Sequence, residues 1–302
     1  MKASQYVTII MTSLGIAAAS QAAIVTDLIG YYDFEETGVN GLKNKAPGAT
    51  GFDGTWSGGT FDVADQDGPG FAGNAAYNPG DGLSNRGTLL VGNALNIVDG
   101  NNDFADIPIG VTDTGKSMTV SFWTYLAPGA SNASARFHAF ETGDSGVYDL
   151  SVGTIGTYSS NGRDDYSVYG PSNNQIGTSI AGFSEETWYH HAITTQVSGD
   201  DIISTYYLNG VVTRSETSTD AALGTTFAFT GLHFGDGRSG SGERDWDGLI
   251  DEAAVWSREL SQSEITQVYN NGLNGVAVTV PEPSSTALLG LGGLALILRR
   301  RK

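Results

Sequence analysis

Residues 232–272 read LHFGDGRSGSGERDWDGLIDEAAVWSRELSQSEITQVYNNG, and this stretch decides the fold. Its hydrophobic pattern predicts a strand, a long polar loop, a second strand over residues 249–256 and one short helix. Apolar residues supply most of the second strand, so we expect it to be buried. The short helix that follows is expected to pack one face against the body of the domain.

The start and the end of this helix are marked by specific residues. Ser261 is a suitable N-cap, and Glu264 three residues later completes a capping box. Leu260 and Ile265 flank the cap at the spacing of a hydrophobic staple. Gly272 is predicted to end the helix in a left-handed turn, a conformation that glycine adopts without strain.

Ten positions of this stretch resemble the end of a LamG-like jellyroll domain of the concanavalin A-like lectin/glucanase superfamily. Blocks at 28–36, 94–108, 117–126, 186–192 and 202–213 also resemble this family. The resemblance implies an all-β fold, an antiparallel β-sandwich of the jellyroll type with one short C-terminal helix, over residues 24–276. The ten positions are Gly248, Ile250, Asp251, Glu252, Trp256, Arg258, Leu260, Ser261, Glu264 and Ile265.

The composition excludes several classes of site. The chain has 302 residues, 42 glycines, no cysteine and a formal net charge of -18. Without cysteine there is neither a disulfide framework nor a Cys-ligated metal. The negative charge disfavours nucleic acid as a partner, because binding phosphate requires clusters of Lys and Arg. The acidic loops suit hard cations with oxygen ligands, or they keep an exported protein soluble.

Residues 1–23 are predicted to be a secretory signal peptide. Lys2 gives a basic start, residues 7–19 form an apolar run, and small residues follow at the positions that a signal peptidase reads. We therefore expect signal peptidase to be a partner during export.

Residues 277–302 are predicted to be a C-terminal sorting segment. Pro281, Glu282 and Pro283 are followed by an apolar run at 284–298 and a basic end, which resembles the PEP-CTERM signal of Gram-negative bacteria. The resemblance implies recognition by an exosortase, transient insertion into the inner membrane, and a destination outside the cell or on its outer surface. A permanent anchor is the alternative, although a helix of this length spans roughly 22 Å, less than a hydrocarbon core of about 30 Å.

Six carboxylates are candidate ligands of a structural Ca²⁺ ion: Asp33, Glu35, Asp99, Asp103, Asp251 and Glu252. In the family that the chain resembles, the first strand lies near the last. This would bring Asp33 or Glu35 towards Asp251 and Glu252. Tyr32 and Phe34 alternate with Asp33 and Glu35, as the two faces of a half-buried strand do. Asp99 and Asp103 belong to a loop that is either a plain hairpin turn or the start of a calcium loop without its closing Glu.

Other blocks predict structure more directly. His190 and His191 are adjacent, so on a strand they point to opposite faces and cannot bind one ion together. Asn209 and Gly210 separate two apolar runs, which predicts a β-hairpin. Residues 118–126 alternate as a strand does.

A polar, aromatic segment is the candidate ligand-binding site. Planar rings and hydrogen-bonding groups are the composition of sugar sites, although a solvated loop has the same composition. The candidate residues are Tyr158, Arg163, Asp164, Tyr166 and Tyr169.

No catalytic motif is present among the common hydrolase and nucleotide-binding patterns. Glu243, Asp245 and Asp247 alternate just before the last strand, and superfamily relatives that cleave β-glucans carry a comparable Glu-x-Asp-x-Glu arrangement. We therefore expect a non-catalytic binding module for extracellular polysaccharide or a surface protein. The alternatives are a glycoside hydrolase that uses Glu243 and Asp247, and a structural matrix protein without a specific ligand.

Overall fold

The computed structural model describes residues 24–36, 41–57, 63–65, 93–97, 104–112, 117–126, 136–142, 150–158, 163–169, 175–180, 188–199, 201–219, 228–234, 248–273 and 277–279. The described elements are β1 (Leu28–Tyr32), β2 (Thr55–Ser57), β3 (Val63–Asp65), β4 (Asn93–Ile97), β5 (Phe104–Thr112), β6 (Met118–Leu126), β7 (Arg136–Thr142), β8 (Leu150–Tyr158), β9 (Arg163–Tyr169), β10 (Gln175–Ile180), β11 (Trp188–Ser198), β12 (Asp201–Leu208), β13 (Val211–Thr219), β14 (Ala228–Phe234), β15 (Gly248–Trp256) and the helix α1 (Gln262–Leu273).

The strands form two antiparallel sheets, which confirms the predicted β-sandwich. The eight-stranded sheet has the order β13-β12-β11-β6-β15-β4-β3, with β1 also paired to β15. The seven-stranded sheet has the order β10-β9-β8-β7-β14-β5-β2. Between the sheets, the ring of Phe122 on β6 meets that of Phe234 on β14 edge-on, with centroids 5.3 Å apart.

Strand β15 is central to the eight-stranded sheet and is buried at all nine positions. One edge pairs with β6, and the other is shared by β4 and β1. β4 pairs with residues 248–250, and β1 pairs with residues 253–256. The register with β6 shifts between Asp251 and Ala254, so β15 carries a β-bulge where β4 stops and β1 begins.

The outer face of the eight-stranded sheet is covered by α1 and by the segments at the two ends of the domain. One buried cluster joins Ile24, Trp256, Leu260, Ile265 and Val278. The central strands of this sheet, β6 and β15, are therefore buried on both faces, which is why β15 reads as a nearly continuous apolar run.

The capping box of α1 is confirmed. The backbone N–H of Ser261 donates to Glu264 Oε2 at 2.8 Å, and the backbone N–H of Glu264 donates to Ser261 Oγ at 3.4 Å. The prediction that Gly272 ends the helix is wrong, because α1 continues to Leu273. Gly272 instead allows close packing, since an added Cβ would lie 2.8 Å from Cζ2 of Trp123.

The hairpin at Asn209 and Gly210 is confirmed, and both residues have the positive φ angles, 51° and 77°, of a type I′ turn. The first strand is shorter than its alternating pattern predicts. β1 ends at Tyr32, and Phe34 has a φ of 49° while its side chain is fully buried. The acidic residues 33, 35 and 36 therefore follow the strand.

Candidate functional site

A group of acidic side chains lies where the first strand meets the last, and we call Asp33, Glu35, Asp251 and Glu252 the carboxylate cluster. Glu252 lies in the bulge of β15 and has a φ of 53°. Its side chain is 8 % exposed, and Asp251 is fully buried. The bulge explains how two consecutive acids fit into a buried strand, because the backbone there departs from the regular alternation of faces.

Two neighbouring side chains, those of Tyr31 and Lys45, bond to the cluster. The Tyr31 hydroxyl donates to Glu252 Oε2 at 2.6 Å, and Asp251 Oδ1 accepts from the Glu252 backbone N–H at 2.8 Å. Lys45 Nζ lies 2.7 Å from Asp33 Oδ1. Lys45 is held beside β1 because its backbone N–H donates to the Tyr31 carbonyl at 2.8 Å. Tyr31 of β1 is thus bonded both to the loop that follows β1 and to β15.

The electrostatics of Glu252 are set by its burial. Burial is the main cause that raises the pKa of Glu252 to about 8. The charges of Asp33 and Glu35 contribute to this rise, and the Tyr31 hydrogen bond and the charge of Lys45 oppose it. The pKa of Tyr31 is raised by burial and then by Glu252, so the hydroxyl remains a donor. At neutral pH most Glu252 carboxyls are therefore protonated, and this side chain adds little buried charge where the two strands meet.

Four of the six predicted calcium ligands therefore lie in one region, as the family resemblance implied. Asp99 and Asp103 lie outside the described residues. Among the side chains that the structure describes, no group of three or more His, Asp or Glu is arranged to hold a metal ion. In this arrangement Glu252 is bonded to Tyr31 and Asp33 to Lys45, and calcium binding stays a prediction.

The two adjacent histidines lie on opposite faces of β11, as predicted. His190 Nε2 lies 2.8 Å from Ser121 Oγ, and its ring packs on Trp123. His191 Nε2 lies 2.7 Å from Thr124 Oγ1, and Nδ1 lies 2.9 Å from the Tyr206 hydroxyl. Burial lowers the pKa of His190 to about 3 and that of His191 well below its usual value. Both rings are therefore neutral and structural.

The predicted sugar-binding residues lie on β8 and β9 of the seven-stranded sheet. Tyr158 is the register partner of Arg163, and Tyr169 is six residues from Arg163 on β9, so these three positions share a face. Asp164 and Tyr166 occupy positions of the opposite face. The register therefore separates the five candidates into two groups.

The strand register also identifies the face of the seven-stranded sheet that points away from the core. On β14, Leu232 and Phe234 are buried. Following the register across β7 and β8 from these residues, Tyr166 occupies a core-facing position, and Tyr158, Arg163 and Tyr169 occupy the outer face. At the other end of the sheet, Thr55, Asp106 and Pro108 are exposed on the outer face.

Sequence reasoning missed Tyr31 and Lys45 as partners of the carboxylate cluster. Tyr31 lies within the block at 28–36, and its adjacency to Tyr32 was the available signal, because adjacent strand residues point to opposite faces. Lys45 reaches the cluster through a loop, for which the sequence carries no periodic pattern.

Residues 99–266 match the sequence profile of the concanavalin A-like lectin/glucanases superfamily, in its laminin G form. This match covers more than half of the chain. The chain belongs to this superfamily. The concanavalin A-like domain is followed by a second match, because residues 279–302 fit the PEP-CTERM protein-sorting motif. This motif indicates export by an exosortase-dependent route to the cell surface or the extracellular space.

Solved structures share the fold of this concanavalin A-like domain at low sequence identity. Domain 4 of AbnA, a GH43 extracellular arabinanase from Geobacillus stearothermophilus, in complex with arabinotriose, has a TM-score of 0.54 and 19% identity, with 80% of this chain and 98% of that chain covered. The botulinum neurotoxin serotype D ligand binding domain in complex with N-acetylneuraminic acid has a TM-score of 0.53 and 14% identity, with 83% of this chain and 52% of that chain covered. The chain thus spans about half the length of the toxin domain. No curated protein matches the chain significantly.

Several predictions for the concanavalin A-like protein concern residues outside the described ranges. These are the signal peptide, the apolar run of the sorting segment, and the acidic residues Glu243, Asp245 and Asp247. Within the described ranges, no helix has both the length and the apolar character that a membrane crossing needs. The domain boundaries at 23/24 and 276/277 stay predictions.

Proposed function

We propose that the protein is an exported, non-catalytic module that binds extracellular carbohydrate through the outer face of its seven-stranded sheet. The observation that carries this proposal is the register of β8 and β9, in which Tyr158, Arg163 and Tyr169 share that face. Aromatic rings offer flat apolar surface to a sugar ring, and a guanidinium donates several hydrogen bonds to hydroxyl or carboxylate oxygens.

Two further observations support a carbohydrate ligand. The arabinanase domain and the toxin domain that share this fold have structures with arabinotriose and with N-acetylneuraminic acid, respectively. At the β2–β5 end, the exposed residues Thr55, Asp106 and Pro108 leave that part of the outer face open to solvent.

Replacing Tyr158 with alanine is expected to weaken binding to the best glycan on an array by about tenfold or more. Removing a central aromatic contact typically costs over 1 kcal/mol, and about 1.4 kcal/mol corresponds to tenfold in affinity. Arg163→Ala and Tyr169→Ala are expected to act in the same direction. Isothermal titration calorimetry with the selected oligosaccharide measures the effect.

Thr213→Ala is the matched control, because Thr213 is exposed on β13 of the other sheet. It is expected to leave glycan affinity unchanged. Equal affinity of the wild type and all three outer-face variants would contradict the proposed surface. Hydrolysis of the glycan by the wild type, lost in Glu243→Gln, would instead support the glycosidase alternative.

We further propose that the PEP-CTERM segment is removed during export from a Gram-negative cell, with exosortase as the partner in that step. The expected result is an extracellular protein whose intact mass lacks the residues after the Pro281-Glu282-Pro283 region. Deleting the exosortase of the producing strain is expected to leave the full segment on a membrane-bound form. An unchanged mass and location in that strain would contradict the proposed route.

A further inference from the structure

Three strands of the seven-stranded sheet place two histidines and one aspartate side by side. His233 on β14 is the register partner of His138 on β7, and on its other side it is the register partner of Asp106 on β5. We call these three residues the His-His-Asp row. The chain has four histidines, and the other two are the buried pair His190 and His191.

All three positions of the row belong to the outer face of the sheet. Directly opposed residues of antiparallel strands lie on the same face. Leu232 and Phe234, on either side of His233, are 1 % and 0 % exposed and therefore belong to the core face. Asp106 is exposed between the buried residues Ala105 and Ile107.

The chemistry of the row is that of a metal site. Neighbouring strands lie about 4.8 Å apart, so the register brings these three residue types to adjacent positions on one face. Imidazole and carboxylate together suit Zn²⁺ and other divalent transition metals. A set of three protein ligands leaves a coordination position open for water or for an oxygen of a ligand.

The outer-face positions beside the row hold a glycine and a second acidic residue. Gly231, the outer-face neighbour of His233 on β14, has no side chain, and it is the register partner of Glu141 on β7. Glu141 is thus a second acidic position near His138 on β7, and the register of β7 with β14 shifts between these two positions. Carboxylates near ligating histidines commonly orient the imidazole rings of metal sites.

We propose that His138, His233 and Asp106 bind one divalent transition-metal ion, with Zn²⁺ as the reference ion, on the outer face of the seven-stranded sheet. This site is independent of the carboxylate cluster and of the candidate calcium ligands. The proposed metal site also does not depend on the proposed carbohydrate binding, because the ion is expected to bind in the absence of a sugar.

The test uses the full chain, stripped of metal with a chelator and titrated with Zn²⁺ alone. Calorimetry is expected to give one equivalent of Zn²⁺ per chain, and His233→Ala, His138→Ala and Asp106→Asn are each expected to weaken binding at least tenfold. Gln175→Ala is the control, because Gln175 lies on β10, away from the row, and its affinity is expected to equal that of the wild type. Circular dichroism verifies that each variant is folded.

A second measurement on the wild type does not depend on the folding of any variant. Co²⁺ bound at the row is expected to give the intense visible absorption of a four- or five-coordinate site, and Zn²⁺ is expected to displace it. A spectrum like that of hexahydrated Co²⁺, or Zn²⁺ affinity that any one of the three variants leaves unchanged, would overturn the proposed three-ligand site.

Discussion

Replacing Glu252 with glutamine is expected to stabilise the protein at alkaline pH and to change little at pH 4. In the wild type, burial raises the pKa of this carboxyl from 4.5 to about 8. The folded state therefore favours the protonated form, and the stability linked to this group is complete below pH 4.5 and is lost as the pH rises through 8. Glutamine remains neutral at every pH and still offers a carbonyl oxygen to the Tyr31 hydroxyl.

The size of the effect follows from the shift in pKa. Each unit corresponds to about 1.4 kcal/mol, so the upper limit for this shift is about 5 kcal/mol of unfolding free energy between pH 4.5 and 8. The groups around Glu252 are Tyr31, Asp33, Glu35, Lys45 and Asp251. Lys45 reduces the effect because its positive charge favours the ionised carboxylate.

The measurement is the unfolding free energy from urea titrations at pH values between 4 and 9, in the presence of a chelator. The difference between variant and wild type is the relevant quantity, because the lowered pKa values of His190 and His191 make stability fall as the pH drops below 6.5. This difference is expected to rise with pH between 4.5 and 8. A constant difference over that interval would contradict the buried, protonated state of Glu252.

Glu264→Gln provides a matched control for the pH experiment. Partial burial would raise the pKa of Glu264, but its bonds to Arg258 and Ser261 outweigh burial and lower it. Stability linked to Glu264 is therefore present above pH 4.5 and is lost on acidification through the lowered pKa. In this variant, the unfolding free energy is expected to change with pH between 4.5 and 8 as it does in the wild type.

Replacing Gly272 with alanine is expected to destabilise the protein by about 1–3 kcal/mol, although alanine is the better helix former. The added Cβ would lie 2.8 Å from Cζ2 and 2.9 Å from Nε1 of Trp123. Trp123 is 2 % exposed and packs against the rings of His190 and Tyr269, so it has little room to move. Helix α1 must therefore shift away from the sheet.

Thermal and urea unfolding of Gly272→Ala measure this loss of stability. In the double variant with Trp123→Phe, which removes the atoms nearest the new methyl group, the effect of Gly272→Ala is expected to shrink. A Gly272→Ala protein as stable as the wild type would show that the helix accommodates the methyl group without cost.

The resemblance to a known family was sufficient for the fold class, and local patterns in the sequence were sufficient for several of its parts. The capping box at Ser261 and the hairpin at Gly210 depend on residues within a few positions of each other, so the sequence alone predicts them. The same holds for the opposite faces of His190 and His191. Each of these features follows from backbone geometry without knowledge of distant partners.

Features that depend on distant pairing were not predictable in this way. The bulge at Glu252 arises where β4 gives way to β1 along one edge of β15, and neither strand is near it in sequence. The role of Gly272 depends on Trp123, and a glycine near a helix end has the same local pattern whether it ends the helix or packs against a ring. The division of the sugar-binding candidates between two faces depends on the register of β8 with β9.

The pairing of β1 with β15 also bears on the order of events during synthesis and export. The Tyr31–Glu252 hydrogen bond joins residues separated by 221 positions, and the bond from Trp256 Nε1 to the Ile24 carbonyl spans 232. Contacts of such long range form late and slow the folding of a domain. In the described part of the chain β15 is the strand that pairs with β1, so β1 joins the sheet only after nearly the whole domain has been made, and closure of this edge of β15 is a late step of folding.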